Sequence, residues 1–561
     1  MNAKMPVNPH QFKSQFPLFS QPENTSLVYV DNAATTQKPQ CVIDAITHFY
    51  THQNGNAQRA SHRLARVSTE MVENTRQLAA NFLGASSDRE VVFTAGATEA
   101  FNIITYGLSA FCESGDEIVV SDSEHHANLL PWQRLAQQQQ CELRFFKAEK
   151  GVLDSEPCLA EKSLLVFSER TRILALSGAS NVFGQVLDMT LLATIKKRFP
   201  HIIIVLDASQ MACHIPLQAS HWQCDFLVCS AHKFYGPTGV GLLYAREEYL
   251  QHMPPLHLGG EMVERVELQS SDYVKGVQRF EAGTSSLAAI AGLQACLQFW
   301  DEQDRPAMQI YERELTAYLH DQLAVMCTPS TGLGLITSPE HNVGIATLIS
   351  MDSAVSLSDL AYWLDEYDIA VRVGNHCAQT LWQAVAATQG ADNGLRISLA
   401  AYNTTSDVDK IVAAITAFCL VDRSQISSLV EDWSDIAWET LAEVKSWQKK
   451  YKLLIQWGSR INHKPQIRQD TFLVKGCESA VWLQHQQEGK QHYFLIDSDS
   501  NIVKGLSALL LIWLNRKTTK EIQAINIAER YQQLGLEKHL SSSRINGFLA
   551  LIAKVEEYLQ A

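Results

Sequence analysis

The sequence has no long hydrophobic run. Its longest, Ala508 to Leu514, is far too short to cross a bilayer, and the first twenty residues are polar with scattered Phe and Pro, without the apolar core of a secretory signal. An excess of positive charge is also missing: 46 Lys and Arg stand against 60 Asp and Glu, a net charge of −14. Broad binding to nucleic acid or to anionic membrane needs a basic face, so neither is expected as a partner. Cysteine is sparse and scattered. Twelve thiols in 561 residues make no disulfide framework, which suits a reducing cytoplasm with most of them serving as core fillers. Cys224, Cys229 and His232 come nearest to a metal cluster, yet an apolar strand carries Cys229 inward and no fourth ligand lies nearby, so no metal site is expected. What is present is enough apolar material, 46% of the residues, for a globular chain of three or four structural units.

The most informative stretch is Phe226-Leu-Val-Cys-Ser-Ala-His-Lys-Phe-Tyr-Gly-Pro-Thr-Gly239. Its apolar start reads as the end of a parallel strand covered on both faces, and Gly236, Pro237 and Gly239 force a turn after it. Ligands of open α/β sheets sit just beyond such strand ends. A partly desolvated lysine at that place, Lys233, loses its proton readily and forms a Schiff base, the chemistry of pyridoxal phosphate enzymes. A lone lysine on a turn is more often a surface residue, but three upstream segments reverse that reading. Ile202-Ile-Ile-Val-Leu-Asp207 ends in a carboxylate suited to a protonated pyridine nitrogen. Val91-Val-Phe-Thr-Ala-Gly-Ala-Thr98 leads into a helix whose first N–H groups, at Gly96, Ala97 and Thr98, with the Thr98 hydroxyl, suit a phosphate. Ile118-Val-Val-Ser-Asp-Ser-Glu-His-His126 brings an imidazole, His125, to a further strand end, where it can stack on a cofactor ring.

From Val28 to about Met262, short apolar runs alternate with amphipathic stretches, as a mostly parallel sheet flanked by helices requires. Residues from about 21 to 265 are expected to form a large, cofactor-binding domain. Ser270 to Gly283 reads as an extended loop, Leu287 to Gln303 as a helix, and about 290 to 420, with the N-terminal segment, as a smaller α+β domain. In that domain Ala370-Val-Arg-Val-Gly-Asn-His-Cys-Ala378 reads as a strand running into a tight loop, where positive charge from Arg372 and His376 favours a thiolate at Cys377. Arg396, on the strand Gly394-Leu-Arg-Ile-Ser-Leu399, offers the fork that suits an amino-acid carboxylate.

Taken together, these segments resemble the fold-type I pyridoxal phosphate enzymes, within them the class V aminotransferase family, and most closely its group II cysteine desulfurases. The resemblance runs from about Phe16 to Phe418 through Asp31-Asn-Ala-Ala-Thr-Thr-Gln-Lys-Pro39, Glu124-His-His-Ala-Asn128, Ser180-Asn181, Phe280-Glu-Ala-Gly-Thr284 and the Arg-x-Gly-x-His-Cys-Ala loop that marks the group. It implies that Asn181 and Gln210 contact the phenolic oxygen of the cofactor, that Ser230 and His232 help hold its phosphate, and that Thr284 completes the phosphate site of a second subunit in a homodimer. It further implies that Arg396 takes the substrate carboxylate, with Asn181, Ala34, His62 and Arg372 also on the substrate side. Several positions depart from the pattern: Ala95, Ala97, Ala208-Ser209, Gln58, Asn375 and Thr380. The missing hydroxyl at Ala97 removes a phosphate hydrogen bond of about 1 kcal/mol.

Beyond a polar, acidic stretch at 421–433, read as a linker, Trp438 to Ser459 shows helical periodicity through Leu441, Val444, Trp447, Tyr451 and Ile455. Residues 434–561 read as a separate α+β domain. Lys475-Gly-Cys-Glu-Ser479, Asp497-Ser-Asp-Ser-Asn-Ile-Val-Lys-Gly505 and Ser541-Ser-Ser-Arg-Ile-Asn-Gly547 resemble the SufE family of sulfur acceptors. That likeness makes Cys477 the acceptor of persulfide sulfur. The whole chain therefore reads as a cytoplasmic enzyme that turns L-cysteine into L-alanine, loads sulfur on Cys377 and passes it to Cys477, with iron–sulfur scaffolds among the recipients beyond. A selenocysteine lyase or another class V activity uses nearly the same residues. An inactive interaction scaffold is the reading of another class, against which the joint presence of Lys233, Asp207, Arg396 and Cys377 argues.

Overall fold

The first strand, β1 (Val28–Tyr29), is far from its partner in sequence: it pairs in parallel with β13 (Ile369–Ala370). The computed structural model describes residues 8–58, 61–146, 166–352, 355–420, 431, 433, 435–464, 467–474, 480–536 and 542–560. The chain divides into two compact units, 1–352 with 364–416, and 353–363 with 417–561. Residues 421–430, most of the expected linker, lie outside the described residues.

Seven strands build the sheet that organises the first unit: β2 (Val91–Thr94), β3 (Glu117–Ser121), β4 (Glu142–Phe146), β5 (Thr171–Ser177), β6 (Ile203–Asp207), β7 (Phe226–Ser230) and β8 (Gly241–Ala245), in the order β2-β8-β7-β6-β5-β3-β4. Only β8 runs against the others. All five residues of β6 and of β7 are buried, so their sequences are near-continuous apolar runs, as expected of strands covered on both faces. The C-terminal ends of β2, β3, β5, β6 and β7 share one edge, and the turns that follow them are where chemistry collects in such sheets. A Cβ on Gly241 would come within 2.6 Å of the Gly96 Cα. The absence of one lets the turn after β2 close onto the end of β7.

The start of the expected loop Ser270 to Gly283 belongs to a hairpin, β9 (Val263–Val266) with β10 (Ser271–Tyr273), closed by Glu267 N–H donating to Ser270 O. The following helix, Leu287–Glu302, is buried along most of its length. A four-stranded antiparallel sheet, β11 (Leu333–Leu335), β12 (Ile345–Ser350), β14 (Arg372–Gly374) and β15 (Gly394–Ser398), follows in the order β11-β12-β15-β14. Asp31 bridges to Ser398 of β15, so the N-terminal segment is part of this smaller domain.

The second unit has its own core, in which Leu454, Leu506, Leu509 and Trp513 pack with Ile496 and Phe548. Its sheet is antiparallel and three-stranded, β16 (Val481–Glu488), β17 (Gln491–Ser498) and β18 (Lys517–Thr518) in that order, backed by the helices Trp447–Ser459 and Asn501–Leu514. The helical stretch expected over Trp438 to Ser459 is broken. Glu439–Glu443 ends when Val444 becomes extended, and Ser446 opens the next helix.

Candidate active site

One cavity at the shared strand edge gathers thirteen of the residues singled out in the sequence: Ala34, Ala97, Thr98, His125, Asn181, Asp207, Gln210, Ser230, His232, Lys233, Arg372, Cys377 and Arg396. Thr284 and His62 are not among its lining residues. His62 instead caps the helix Arg63–Leu83, its Nδ1 accepting from Ala65 N–H at 3.3 Å. Thr284 lies on the loop before the helix Leu287–Glu302, which Glu281 ties down through a bidentate ion pair with Arg76 (2.6 and 2.8 Å) and a bond from Phe93 N–H. Cys477 lies outside the described residues, but its flanks are fixed: Val474 N–H donates to Val481 O, and Ser498 Oγ to Ala480 O. Beside them, burial raises the carboxyl of Asp497, while Arg468 and Lys504 outweigh that effect and hold it at about 2.

Lys233 ends a single 3-10 turn directly after β7. Its amine makes no hydrogen bond or ion pair among the described residues. Burial lowers its pKa, with Asp207 opposing and Arg396 assisting, so the neutral amine forms far more easily than in water. The peptide before it is clamped: His232 O accepts from Thr36 N–H and Oγ, Thr35 Oγ and Lys38 Nζ, all at 3.0–3.1 Å. Asp207, at the end of β6, accepts from Ser209 N–H through Oδ1, and its Oδ2 has no partner among the described residues. His125 opens the turn His126–Asn128, its Nδ1 accepting from Ala127 N–H, and burial, then Lys233, push its pKa down to about 4. Beneath it Glu124 is buried against Ser177 and Asn128, and burial raises it to about 8.

Two sequence expectations need correction. The N–H of Ala97 donates to Ser230 Oγ at 2.8 Å, because the close approach of Gly96 and Gly241 brings the two ends together. Of the three N–H groups expected for a phosphate, this one is already engaged. His376 was expected to add positive charge beside Cys377. Burial, then Arg396, lower its pKa to about 3, so its ring is neutral and donates from Nε2 to Gly394 O; the positive charge comes from the two arginines. Arg396 is buried, with Nη2 on Asp31 Oδ1 (3.0 Å) and Nη1 on Asn181 O (2.8 Å). The sequence reading missed Asp31 as its partner, although Asp31 opens one of the quoted motifs.

A sequence profile described as aminotransferase class-V matches residues 28–411. The chain belongs to the class-V aminotransferase family. A second profile, the SufE family described as an Fe-S metabolism associated domain, matches residues 435–559. Among class-V relatives, a probable cysteine desulfurase of Vibrio cholerae is 36% identical over 416 residues, 73% of this chain and 98% of that protein. One from Pseudomonas putida is 36% identical over 408 residues, 72% and 97% of the two chains. Of solved structures, the cysteine desulfurase CsdA of Escherichia coli is similar with a TM-score of 0.65 at 33% identity, over 73% of this chain and 98% of that one. The cysteine desulfurase of Thermococcus onnurineus gives 0.67 at 28% identity, over 75% and 99%.

Class-V enzymes imply pyridoxal 5'-phosphate, and the cavity fits it. Three of its buried polar atoms, Ser209 Oγ, His376 Nδ1 and Arg396 Nε, have no hydrogen-bond partner among the described residues, and a buried polar atom calls for a partner that a ligand or water can supply. With the unpartnered Lys233 amine and Asp207 Oδ2, they make the donor and acceptor set that an aldehyde, a ring nitrogen and a carboxylate require. No group of three or more metal-ligating side chains occurs among the described residues, and no helix there is long and apolar enough to cross a membrane.

Proposed function

We propose that this chain is a pyridoxal-phosphate-dependent L-cysteine desulfurase that hands sulfur to its own C-terminal domain. The observation that carries the reading is the convergence of an unpartnered, desolvated Lys233, a cysteine on a tight loop and a buried arginine on one cavity. When bound, the cofactor supplies an electron sink that makes the Cα proton of an amino acid acidic. Lys233 Nζ would hold it, and the neutral amine is the base placed to take that proton. Asp207 would hold the ring nitrogen, His125 would stack on the ring, and Thr98, Ser230 and His232 would hold the phosphate. Asn181 Nδ2 and Gln210 Nε2 each use one N–H on a backbone carbonyl, His376 O and Ala33 O, which leaves each a second N–H for the phenolic oxygen.

Arg396, steered by Asp31, holds the substrate carboxylate through its free Nε–H. Cys377 Sγ attacks the substrate sulfur: an S–S bond forms, the Cβ–S bond breaks with its electron pair left on carbon, and protonation there yields L-alanine. One thiol and one L-cysteine give one persulfide and one L-alanine. The outer sulfur then passes to Cys477 and onward to iron–sulfur assembly. The twelve cysteines, scattered through the sequence without a disulfide framework, support a reducing, cytoplasmic setting. Incubation of the cofactor-loaded protein with L-cysteine is expected to release L-alanine and to add 32 Da, about one sulfur, at Cys377 by peptide mass spectrometry. Alanine release without that adduct would overturn the reading.

The reading also includes a second copy. Beside the phosphate end lies an open cleft lined by Gly96, Thr98, His232, Gly239 and His257, and Thr284 lines neither it nor the main cavity. Thr284 of a second subunit completes the phosphate site in a homodimer. Light scattering is expected to give twice the chain mass of 62.7 kDa, and a monomer with full activity on dilution would refute the shared site.

A further inference from the structure

The loop that carries Cys377 holds a backbone conformation its residues do not favour. His376 and Cys377 both lie in the left-handed region, with φ of 48° and 58°, where a Cβ crowds the following carbonyl. Two such residues in succession persist only where the surroundings overrule the local preference. The surroundings here belong to the large domain. Asn181 Nδ2 donates to His376 O at 2.7 Å, and His126 N–H donates to Cys377 O at 2.7 Å.

The helix Gln379–Gln389 begins directly after this loop. Its N-cap is Ala378, which has no side chain able to accept from the first turn, and the first N–H groups of a helix have no internal acceptor. Gln379 N–H donates to His126 Nε2 at 3.3 Å, from a residue 253 positions away. His126 therefore brackets Cys377, giving its own N–H to the cysteine carbonyl and capping, from another part of the chain, the helix behind it. To accept at Nε2 the ring must be neutral with its proton on Nδ1. A thiolate just ahead of a helix N-terminus is favoured by the helix dipole, provided that end stays in place.

We propose that His126 is a positioning residue for sulfur transfer: its imidazole caps the helix behind Cys377 and so fixes where the thiol stands. The two adjacent histidines then divide the work, His125 toward the cofactor and His126 toward the nucleophile. This rests on Cys377 being the sulfur-accepting nucleophile.

The test compares His126→Phe, which keeps a ring but loses the acceptor, with His126→Gln, whose Oε1 replaces it, in the full-length, cofactor-loaded protein. In His126→Phe, single-turnover persulfide formation on Cys377 should slow about tenfold, with KM for L-cysteine and the visible cofactor band unchanged. The amide of Gln379 should exchange with deuterium about tenfold faster. His126→Gln should restore both to within about twofold of the unsubstituted protein. Persulfide formation in His126→Phe within twofold of the unsubstituted rate would overturn the proposal, as would equal slowing in both variants, which would assign the effect to ring packing. If His126→Phe does not fold, His126→Leu gives the same comparison. Cys377→Ala is the control for the underlying reading: turnover in that variant would remove the nucleophile assignment, while exchange at Gln379 would still report whether His126 caps the helix.

Discussion

Lys233→Ala should lose turnover of L-cysteine by about four orders of magnitude or more, the upper range of what a positioned proton-transfer group supplies, while the protein folds normally. The loss is large because the proposed mechanism gives one amine two tasks, anchoring the cofactor and moving the Cα proton, and no second lysine lines the cavity among the described residues. The fold should survive because the amine makes no hydrogen bond or ion pair among the described residues. Stability should rise. Burial depresses the pKa of Lys233, so on lowering the pH from its ordinary range the unfolded chain takes up a proton before the folded one does, and the lysine costs stability below that range. Without it the cofactor-free variant should melt at or above the temperature of the unsubstituted protein at neutral pH. Turnover within a few-fold of the unsubstituted rate would remove Lys233 from the mechanism.

Cys377→Ala should leave no persulfide on either Cys377 or Cys477, whereas Cys477→Ala should keep the first-turnover burst of alanine and slow only the later turnovers. The asymmetry follows from order, since Cys377 is loaded first and can be loaded once without a recipient. Joining donor and acceptor in one chain replaces a bimolecular encounter by an effective concentration that dilution does not change, so specific activity should not fall on dilution. Cutting the chain near Ser427 should make sulfur release depend on added C-terminal fragment. If Cys477 were loaded normally in Cys377→Ala, the relay between them would be wrong.

The residues legible in the sequence are those that end buried strands. Asp207 and Lys233 stand out because parallel strands covered on both faces are written as unbroken apolar runs, and a charge that ends such a run marks the ligand edge. What the sequence hid depends on distance and burial. Asp31 and Arg396 form their ion pair across 365 positions, and nothing near either residue announces it. His376 looks like a source of charge, and only its burial beside Arg396 makes it neutral. His62 also caps a helix, a use that depends on where the next helix starts. His125 and His126 are chemically identical neighbours, and only the turn at His126–Asn128 sends them to different partners.

The pairing of Asp31 with Arg396 also orders events on the ribosome. Val28 and Val30 are fully buried in the finished protein, yet β1 pairs with β13 and Val30 O accepts from Ser398 N–H, so their strand partners are among the later residues of the domain to be made. At about 5–20 residues per second, the 365 positions between Asp31 and Arg396 take on the order of 20–70 seconds to synthesise. For that interval β1 has no partner strand. The loop at 31–38 that clamps the peptide before Lys233 gains its β15 contacts last, so cofactor held before then would be held by an unfinished site.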